Sequence, residues 1–260
     1  MKICTFNVNS IRARLDLLLS WLERRGNDID ILCLQEIKTV SDGFPFAALE
    51  KLGYSCEVFG QKAYNGVAIC SKFPSANVTK GFGPDIWDEQ KRIICTETGG
   101  MLVVNVYVPH GDVRGAVKYY YKLKWYEMLR AFLRDRVSLD GRTVVVGDFN
   151  VALADMDVYD PELFSDVTGT MPEEREALQN VLVSGYHDAF RHLYPDVKQF
   201  TWWDYGGGAV WKNEGMRLDY ILCNGPLLER LKSVEVDMWP RRKKTPTPSD
   251  HAPLIATFEF

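Results

Sequence analysis

The sequence predicts an α/β fold in which two β-sheets pack face to face and helices cover their outer sides. Short apolar runs bounded by turn-forming residues recur along the chain, and this pattern indicates many buried strands. A few longer segments carry apolar residues three and four positions apart, which indicates helices on the outside of two groups of strands. No internal repeat or Pro/Ser-rich linker separates the two halves, so we expect residues 1–260 to form a single domain.

The first half of the chain begins with a predicted strand at residues 2–6 and an amphipathic helix at residues 10–25. A buried strand at residues 29–34 and a short helix at residues 45–52 follow. Further strands then come close together, at residues 54–59, 66–71, 77–81, 92–97 and 101–108. Gly99-Gly100 lies between the last two of these strands and indicates a hairpin turn.

The second half begins with a long predicted helix from Lys118 to about Val137, followed by a strand that starts at Thr143. Another helix is expected at residues 173–184. Short strands close the chain, at residues 199–202, 217–223, 233–237 and 254–258. The loops at residues 151–170 and 204–213 are long for a compact domain, and long loops often carry function.

Composition and charge fit a soluble globular protein, since 46% of the residues are hydrophobic and 25% are charged. A net charge of −4 argues against a general polyanion binder, although carboxylates gathered around a cation also lower the formal charge. Local basic stretches lie at residues 118–124 and 241–244. The chain opens on a strand-like run, without a predicted signal peptide or membrane span, so we expect a cytoplasmic protein.

The six cysteines are scattered through apolar runs, and none forms a C-x-x-C pair. We therefore expect buried free thiols and neither a zinc site nor a redox motif.

Polar residues end the most apolar strand of the chain, in the segment Gly147-Asp148-Phe149-Asn150. Side chains alternate along an extended chain, so Asp148 and Asn150 are expected to project the same way. Burying both groups is costly unless they meet a metal, a charge or a ligand. A simple turn after the strand is the alternative interpretation.

The same construction recurs in five other segments, where polar groups adjoin a predicted strand: Phe6-Asn7-Val8-Asn9, Leu34-Gln35-Glu36, Asn105 through His110, Arg217-Leu218-Asp219-Tyr220 and Ser249-Asp250-His251. Each segment alone is compatible with a solvated strand end, but together they indicate a preorganised polar site. The oxygen donors Glu36, Asp148, Asn7, Asn150 and Asp250 suit Mg²⁺ or Mn²⁺ better than zinc.

The motifs of two other enzyme classes are missing from the sequence. It contains neither the G-x-S-x-G of serine hydrolases nor the G-x-x-x-x-G-K-[ST] of P-loop enzymes. Metal-assisted attack of water on a phosphodiester remains as the chemistry that the residues favour.

Taken in order, these motifs resemble the exonuclease III family of AP endonucleases, within the endonuclease/exonuclease/phosphatase superfamily. Lys38, Tyr64-Asn65-Gly66, Tyr107 and Phe200-Thr201-Trp202-Trp203 narrow the resemblance to the DNA-repair branch. The resemblance implies a DNase I-like, four-layered α/β sandwich of two mixed sheets flanked by helices. It also implies Mg²⁺-dependent hydrolysis of double-stranded DNA 5′ to abasic sites, 3′-phosphodiesterase action on blocked 3′ ends, and 3′-to-5′ exonuclease activity in base excision repair. Mn²⁺ is an alternative metal, no membrane partner is expected, and we expect a monomer.

The resemblance also implies roles for individual residues. Glu36 is the expected principal metal ligand, and the further metal-site candidates are Asn7, Asp148, Asn150, Asp250 and His251. The expected catalytic residues are Asp148, which activates water, Asn150, His251 oriented by Asp219, and Tyr107. Whether Asp148 or an ionised Tyr107 accepts the proton stays open at this point. The expected substrate-binding residues are Asn9, Lys38, Tyr64, Asn65, His110, Trp202, Met216 and Leu218.

Three positions depart from the family pattern or refine it. His110 replaces an Asn or Gln, which predicts a pH-dependent phosphate contact. Met216 replaces an aromatic residue and predicts a softer pocket wall. Gly169 adds no side chain near the site, so we hypothesise that DNA continues past it and that internal abasic sites are cut.

Two other functions compete with this hypothesis. One is a phosphatase of the same superfamily that acts on inositol phosphates or lipids, and the other is a catalytically silent DNA-binding module. Among the remaining aromatic residues, Trp203 is expected in the core, and only one or two of Tyr119, Tyr120 and Tyr121 can face a duplex from one helix.

Overall fold

The computed structural model describes residues 1–136 and 141–260. Two six-stranded sheets form the centre of the fold. The strands that build them are, in chain order, β1 (Lys2–Asn7), β2 (Ile31–Gln35), β3 (Ser55–Phe59), β4 (Val67–Ser71), β5 (Ala76–Lys80), β6 (Ile93–Thr98), β7 (Met101–Tyr107), β8 (Thr143–Asp148), β9 (Tyr186–Asp188), β12 (Asp219–Asn224), β13 (Leu231–Val236) and β14 (Leu254–Phe258). A separate ribbon pairs β10 (Trp202–Trp203) with β11 (Gly215–Met216).

Each sheet is mixed, because it contains one parallel pair among antiparallel neighbours. The strand order is β13-β14-β1-β2-β4-β3 in the first sheet and β5-β6-β7-β8-β12-β9 in the second. The parallel pairs are β1 with β2 and β7 with β8. Gly99 and Gly100 join β6 to β7 with positive φ angles of 57° and 76°, as the predicted hairpin turn requires.

Helices cover both outer faces. The helices of the described residues are α1 (Ile11–Arg24), α2 (Phe46–Glu50), α3 (Asp85–Asp88), α4 (Val117–Arg136), α5 (Pro172–Leu182), α6 (Ala189–Leu193), α7 (Ala209–Lys212), α8 (Gly225–Leu228) and α9 (Met238–Arg241), with 3₁₀ turns at Ser41–Gly43, Asp155–Asp157 and Gly206–Gly208. Val137, the predicted end of the long helix, lies outside the described residues. No helix within the described ranges is long and apolar enough to cross a membrane.

Three apolar layers separate the elements of the fold. The inner faces of the two sheets meet in one core that includes Ile3, Ile69, Val103 and Val146. A second layer lies between the first sheet and α1, and a third lies between the second sheet and α4 with α5. The order helix, sheet, sheet, helix confirms the predicted four-layered α/β sandwich of DNase I-like type.

A polar link crosses the inner core between the two sheets. Asn105 on β7 donates from Nδ2 to the carbonyl oxygens of Leu34 (3.0 Å) and Ala68 (2.8 Å). Gln35 on β2 donates from Nε2 to Asn105 Oδ1 at 2.6 Å. All of these groups are buried, so the bonds hold one sheet in register with the other.

The structure corrects several sequence expectations. Cys56 and Cys70 form a disulfide, because β3 and β4 place them opposite each other with a Cα–Cα distance of 4.0 Å. The four other cysteines are buried free thiols, as predicted. The strand expected at residues 199–202 is reduced to β10, and β9 with α6 was not predicted because its polar, three-residue strand carries little periodic signal.

Candidate active site

Strand topology brings the polar segments to one edge of both sheets. Parallel β1 and β2 end side by side, which places Asn7 and Glu36 at the same edge. Because β14 runs antiparallel to β1, the residues before it, Asp250 and His251, return to that edge. In the second sheet, Asp148 lies opposite both Tyr107 and Asp219 in the strand register. Side chains remote in sequence therefore converge on one site.

Local backbone conformation shapes the turns that carry these side chains. Glu36 and Asn150 adopt positive φ angles of 49° and 51°, and such angles in residues other than glycine are common at functional sites. Gly147 allows β8 to approach β7, because a Cβ atom there would lie 1.9 Å from the carbonyl oxygen of Val106. A side chain at position 147 would push Asp148 away from the site.

Asn7 joins the two central carboxylates. Its Nδ2 donates to Glu36 Oε1 and to Asp148 Oδ2, each at 2.9 Å, and its Oδ1 accepts from the Asn9 amide at 3.0 Å. Asn7 is fully buried, whereas Glu36 keeps 18% of its side chain exposed toward the cavity described below. The amide nitrogen therefore faces both carboxylates, although the sequence predicts Asn7 as an oxygen ligand.

These residues fit a hard divalent cation. Glu36 and Asp148 lie within hydrogen-bond distance of one nitrogen atom, and their remaining oxygens are the donors that Mg²⁺ and Mn²⁺ prefer. No three His, Cys, Asp or Glu side chains within residues 1–136 and 141–260 are spaced to hold an ion by themselves. Magnesium commonly binds through one or two carboxylates and keeps several waters, which agrees with this donor set.

His251 bridges two buried carboxylates. Its Nδ1 lies 2.9 Å from Asp219 Oδ2, and its Nε2 lies 3.7 Å from Asp148 Oδ2. Burial opposes the charged ring, yet Asp219 and Asp148 together raise the pKa of His251 above its usual range. Burial also raises the pKa of Asp148, against the attraction of His251. Asp148 and His251 consequently hold their protons to higher pH than the free side chains do.

Tyr107 lines the cavity at the end of β7, opposite Asp148 in the strand register. It is 9% exposed at the end of β7, and the Arg92 guanidinium lies 4.5 Å from the centre of its ring. Burial and the carboxylates of Glu36 and Asp148 raise the pKa of Tyr107 well above its usual value. The phenol therefore keeps its proton at neutral pH.

A cavity of about 400 Å³ opens beside these groups. Glu36, Tyr107, Asp148, Asn150, Asp250 and His251 form its polar side. Trp202, Met216, Leu218 and Phe164 form an apolar wall, where they pack in one cluster. His110, Thr168 and Gly169 complete the lining. A polar floor beside a small apolar wall suits a phosphorylated ligand with a compact apolar part.

The ribbon β10 and the C-terminal segment hold Asp250 and the apolar wall. Asp250 accepts from Trp202 Nε1 at 3.0 Å and from Asn9 Nδ2 at 3.0 Å. Burial opposes the charged form, but His251 and these two donors lower the pKa of Asp250. Asp250 is therefore an ionised group that orients Trp202 and Asn9 at the cavity edge.

The remaining substrate-binding candidates lie outside the cavity lining. Lys38 bonds Asn9 Oδ1 at 2.6 Å and Glu36 Oε2 at 2.8 Å. The carbonyl oxygen of Asn65 accepts from the Lys38 amide at 2.9 Å, and Tyr64 is 69% exposed. Lys38 thus links the carboxylate cluster to the outer turn that carries Tyr64 and Asn65.

Each of the two basic stretches contributes one buried cation, Lys122 or Arg241. Lys122 is fully buried, and its Nζ bonds Glu174 at 2.6 Å. Arg241 is 4% exposed and donates to the carbonyl oxygens of Asp250 and Trp203. Both arginine and lysine can be buried when every donor finds an acceptor, and a sequence does not reveal those partners.

The aromatic predictions on α4 and β10 agree with the structure. Tyr120 is 60% exposed, whereas Tyr119 is buried and Tyr121 stacks on Trp87, so one of the three tyrosines faces outward. Trp203 is fully buried in the core, as predicted. Phe164 and Thr168 were not predicted as lining residues, and their position in the long loop at residues 151–170 was the only signal for them.

Comparisons with known proteins agree with this geometry. The chain matches the endonuclease/exonuclease/phosphatase family over residues 4–251. It is 34% identical to exodeoxyribonuclease III of Haemophilus influenzae across 100% of both chains. The structure superposes on an AP endonuclease from Archaeoglobus fulgidus (38% identity) and on a 3′ phosphatase from Neisseria bound to product DNA hairpin (40% identity), each with a TM-score of 0.95 over 100% of both chains. The family match spans nearly the whole chain, and its relatives carry the names that the motifs predicted. The chain therefore belongs to the endonuclease/exonuclease/phosphatase family, in its exonuclease III branch.

Proposed function

We propose that this protein is a DNA-repair phosphodiesterase that hydrolyses double-stranded DNA 5′ to abasic sites. Removal of 3′ blocking groups and 3′-to-5′ exonuclease action would use the same site. The observation that carries the proposal is the cavity itself, in which Glu36 and Asp148, both bonded to Asn7, and His251 face an apolar wall. The names of the relatives support a nuclease, since they include an exodeoxyribonuclease III, an AP endonuclease and a 3′ phosphatase.

We infer that the enzyme uses Mg²⁺, with Mn²⁺ as an alternative, because the donors are carboxylate and amide oxygens. Glu36 is the ligand we favour, since its side chain is partly open to the cavity. Asp148, Asn150, Asp250 and His251 remain nearby candidates on the same lining, and Asn7 holds the carboxylates in place. A bound divalent ion would supply Lewis-acid polarisation of a phosphoryl oxygen.

The chemistry is a balanced hydrolysis. Water attacks phosphorus, the bond to the 3′ oxygen of the upstream nucleotide breaks, and that oxygen takes a proton from solvent water and leaves as a hydroxyl group. Asp148 accepts the proton of the attacking water, and general base catalysis of this kind contributes roughly 10²- to 10⁴-fold. Asn150 helps to orient that water, and Tyr107 donates its hydroxyl to charge that develops on the phosphoryl group.

His251 contacts the scissile phosphate in this proposal, with Asp219 fixing its ring. Asp219 Oδ2 accepts from His251 Nδ1 at 2.9 Å, and in the charged ring, which Asp219 and Asp148 favour, Nε2 also carries a proton that can face a phosphoryl oxygen. Nε2 also lies 3.7 Å from Asp148 Oδ2, which places the donor to phosphate beside the acceptor from water. In this proposal His251 therefore contacts the phosphate, while Asp148 acts on the attacking water.

Selection of an abasic sugar would come from the apolar wall. Trp202, Met216 and Leu218 line the cavity with apolar surface that would pack against a sugar without its base. Asn9, Lys38, Tyr64 and Asn65 would contact the DNA outside the cavity. His110 is exposed at the edge of the cavity and would contact a neighbouring phosphate.

One assay separates the three candidate functions. The substrates are a labelled duplex with one abasic site, a duplex with a 3′ phosphate, and a soluble inositol phosphate, each with Mg²⁺ or EDTA. The variants are Asp148→Asn and a matched control, Asp16→Asn, which changes an exposed carboxylate on α1. We expect Mg²⁺-dependent incision that Asp148→Asn loses and Asp16→Asn keeps.

Other outcomes of this assay would contradict the proposal. Release of phosphate from inositol phosphate without incision would indicate the phosphatase alternative. Binding of the duplex without turnover of any substrate would indicate a DNA-binding module. We also propose that the active species is a monomer, which sedimentation at the assay concentration would test.

A further inference from the structure

A buried ion pair under the cavity holds three separate loops together. Lys122 on α4 and Glu174 on α5 are each 0% exposed, and their Nζ–Oε1 distance is 2.6 Å. Lys122 Nζ also donates to the carbonyl oxygens of Asn150 (2.7 Å) and His110 (3.1 Å). Glu174 Oε2 accepts from the Gly169 amide at 2.6 Å.

The partners of this pair all belong to the cavity. Asn150, His110 and Gly169 follow different strands or precede α5, yet each lines the same space. The ammonium group uses its three protons on three acceptors, and the carboxylate uses both oxygens. We propose that the Lys122–Glu174 pair is a positioning device that sets these three walls of the active-site cavity; this inference rests on the proposed function.

Stability alone does not account for such a pair. Removing two charges from water costs several kcal/mol for each ion, and well-packed apolar residues often replace a buried pair without loss of stability. Apolar side chains would fill the space, but they would leave two carbonyl groups and the amides of Gly169 and Met171 unpaired. What the pair supplies specifically is a fixed position for the backbone of the three loops.

The aliphatic part of the Lys122 side chain is packed closely against the loop after β7. Gly111, next to His110, has a φ of 85°, and a Cβ atom there would lie 3.0 Å from Lys122 Cδ. The loop after β7 therefore rests directly on the buried side chain. Asn150 is held from two sides, because its own Nδ2 donates to the carbonyl oxygen of Val108 at 2.9 Å.

A cluster of three charged side chains at the surface joins the same loops, but it is poorly suited to hold them in place. Arg114, in the loop after β7, bonds Asp166 and Glu173. All three side chains are at least 41% exposed, so water and salt weaken the contact. Positioning of the cavity walls therefore falls to the buried pair.

The test compares Lys122→Met, Glu174→Gln and the double variant with a control, Arg25→Met. Arg25 bonds Asp28, Glu235 and Asp237 near the far end of α1, so its loss removes partly exposed charge contacts without touching the cavity. Urea unfolding, kcat and KM on abasic duplex and on 3′-phosphate duplex are measured, together with hydrogen–deuterium exchange.

We expect the double variant to be more stable than either single variant, because no uncompensated charge stays buried. We expect kcat to fall about 10- to 100-fold in all three pair variants, because small misplacements of a catalytic group have costs of this order. Exchange should rise together in the segments that contain residues 110, 150 and 169. The control should lose stability but keep its kcat within about twofold.

Two results would overturn the proposal. One is a double variant that regains both stability and kcat, since the pair would then be only structural. The other is unchanged exchange in the three segments. If wild-type protein cleaves no DNA substrate, the proposed function fails, and the exchange data still decide whether the pair positions the loops.

Discussion

The contact between Asn7 and two carboxylates leads to a prediction that differs from the sequence interpretation of Asn7 as a metal ligand. Asn7→Leu removes the amide donor, and Asn7→Asp removes it and adds a third carboxylate. Each lost bond runs from Nδ2 to a charged oxygen at 2.9 Å. A hydrogen bond to a charged group contributes about 1.5–3 kcal/mol, so the two bonds together contribute about 3–6 kcal/mol.

Added charge makes Asn7→Asp the more severe change. A typical domain is stable by only about 5–15 kcal/mol, so the loss of both Asn7 hydrogen bonds is a large part of the free energy of unfolding. With a urea m-value of about 1–3 kcal/mol/M, a loss of 3 kcal/mol moves the unfolding midpoint by about 1–3 M. Like charges repel most when all are ionised, so the deficit should be larger at pH 8 than at pH 5.5.

The assay is urea unfolding in EDTA at both pH values, followed by titration with Mg²⁺. We expect both variants to unfold at lower urea than wild type at pH 8, with Asn7→Asp the lower of the two. Saturating Mg²⁺ should restore part of the deficit of Asn7→Asp, because a ligand that binds the folded state stabilises it. An Asn7→Asp protein as stable as wild type in EDTA at pH 8 would refute the donor role of Asn7.

Three further predictions concern the site. Metal-free protein should lose stability as pH rises from 5 to 9, because the folded pKa values of Asp148 and His251 both lie above their unfolded values. Calorimetry should find a larger stabilisation by Mg²⁺ at pH 8.5 than at pH 5.5. Asp219→Asn should lower kcat by about 10³- to 10⁴-fold with little change in KM, since the charge that orients His251 is lost; an unchanged kcat on abasic duplex would contradict this. Gly169→His should slow incision at internal abasic sites more than 3′-phosphate removal, with Gly169→Ala as the control for strain at a φ of 91°; equal incision by wild type and Gly169→His would contradict the hypothesis.

The framework of the site could be predicted from the sequence because strand ends are visible there. Apolar runs locate β1, β2, β7, β8 and β12, and the polar residues that adjoin them are the ones that converge. Asp148 and Asn150 do line one cavity, but a turn after β8 and not strand alternation places them there, because β8 ends at Asp148 and the Asn150 amide donates to Asp148 Oδ1 at 2.9 Å. The pattern does not reveal which atom of Asn7 faces its neighbours, because this depends on the Asn9 amide that occupies its oxygen.

The buried charges could not be predicted in the same way. Lys122 lies among lysines and tyrosines on a helix, where a surface position is the common outcome. Its burial depends on Glu174, which is 52 residues away and belongs to another helix. Arg241 is similar, since its acceptors are carbonyl groups of Asp250 and Trp203. Partners of this kind are set by tertiary packing and leave no periodic signal.

The two parallel strand pairs explain why one site can collect groups from both sheets. In a purely antiparallel meander, successive strands end at opposite edges, whereas β1 with β2 and β7 with β8 end at the same edge. Asn7 comes from the first sheet and Asp148 from the second, so their bond exists only while the sheets stay in register. The Gln35–Asn105 bond lies one residue before Glu36 and two before Tyr107, and it fixes that register from inside the core. The packing between the sheets therefore also determines the geometry of the site, and the buried Gln35–Asn105 bond stabilises both.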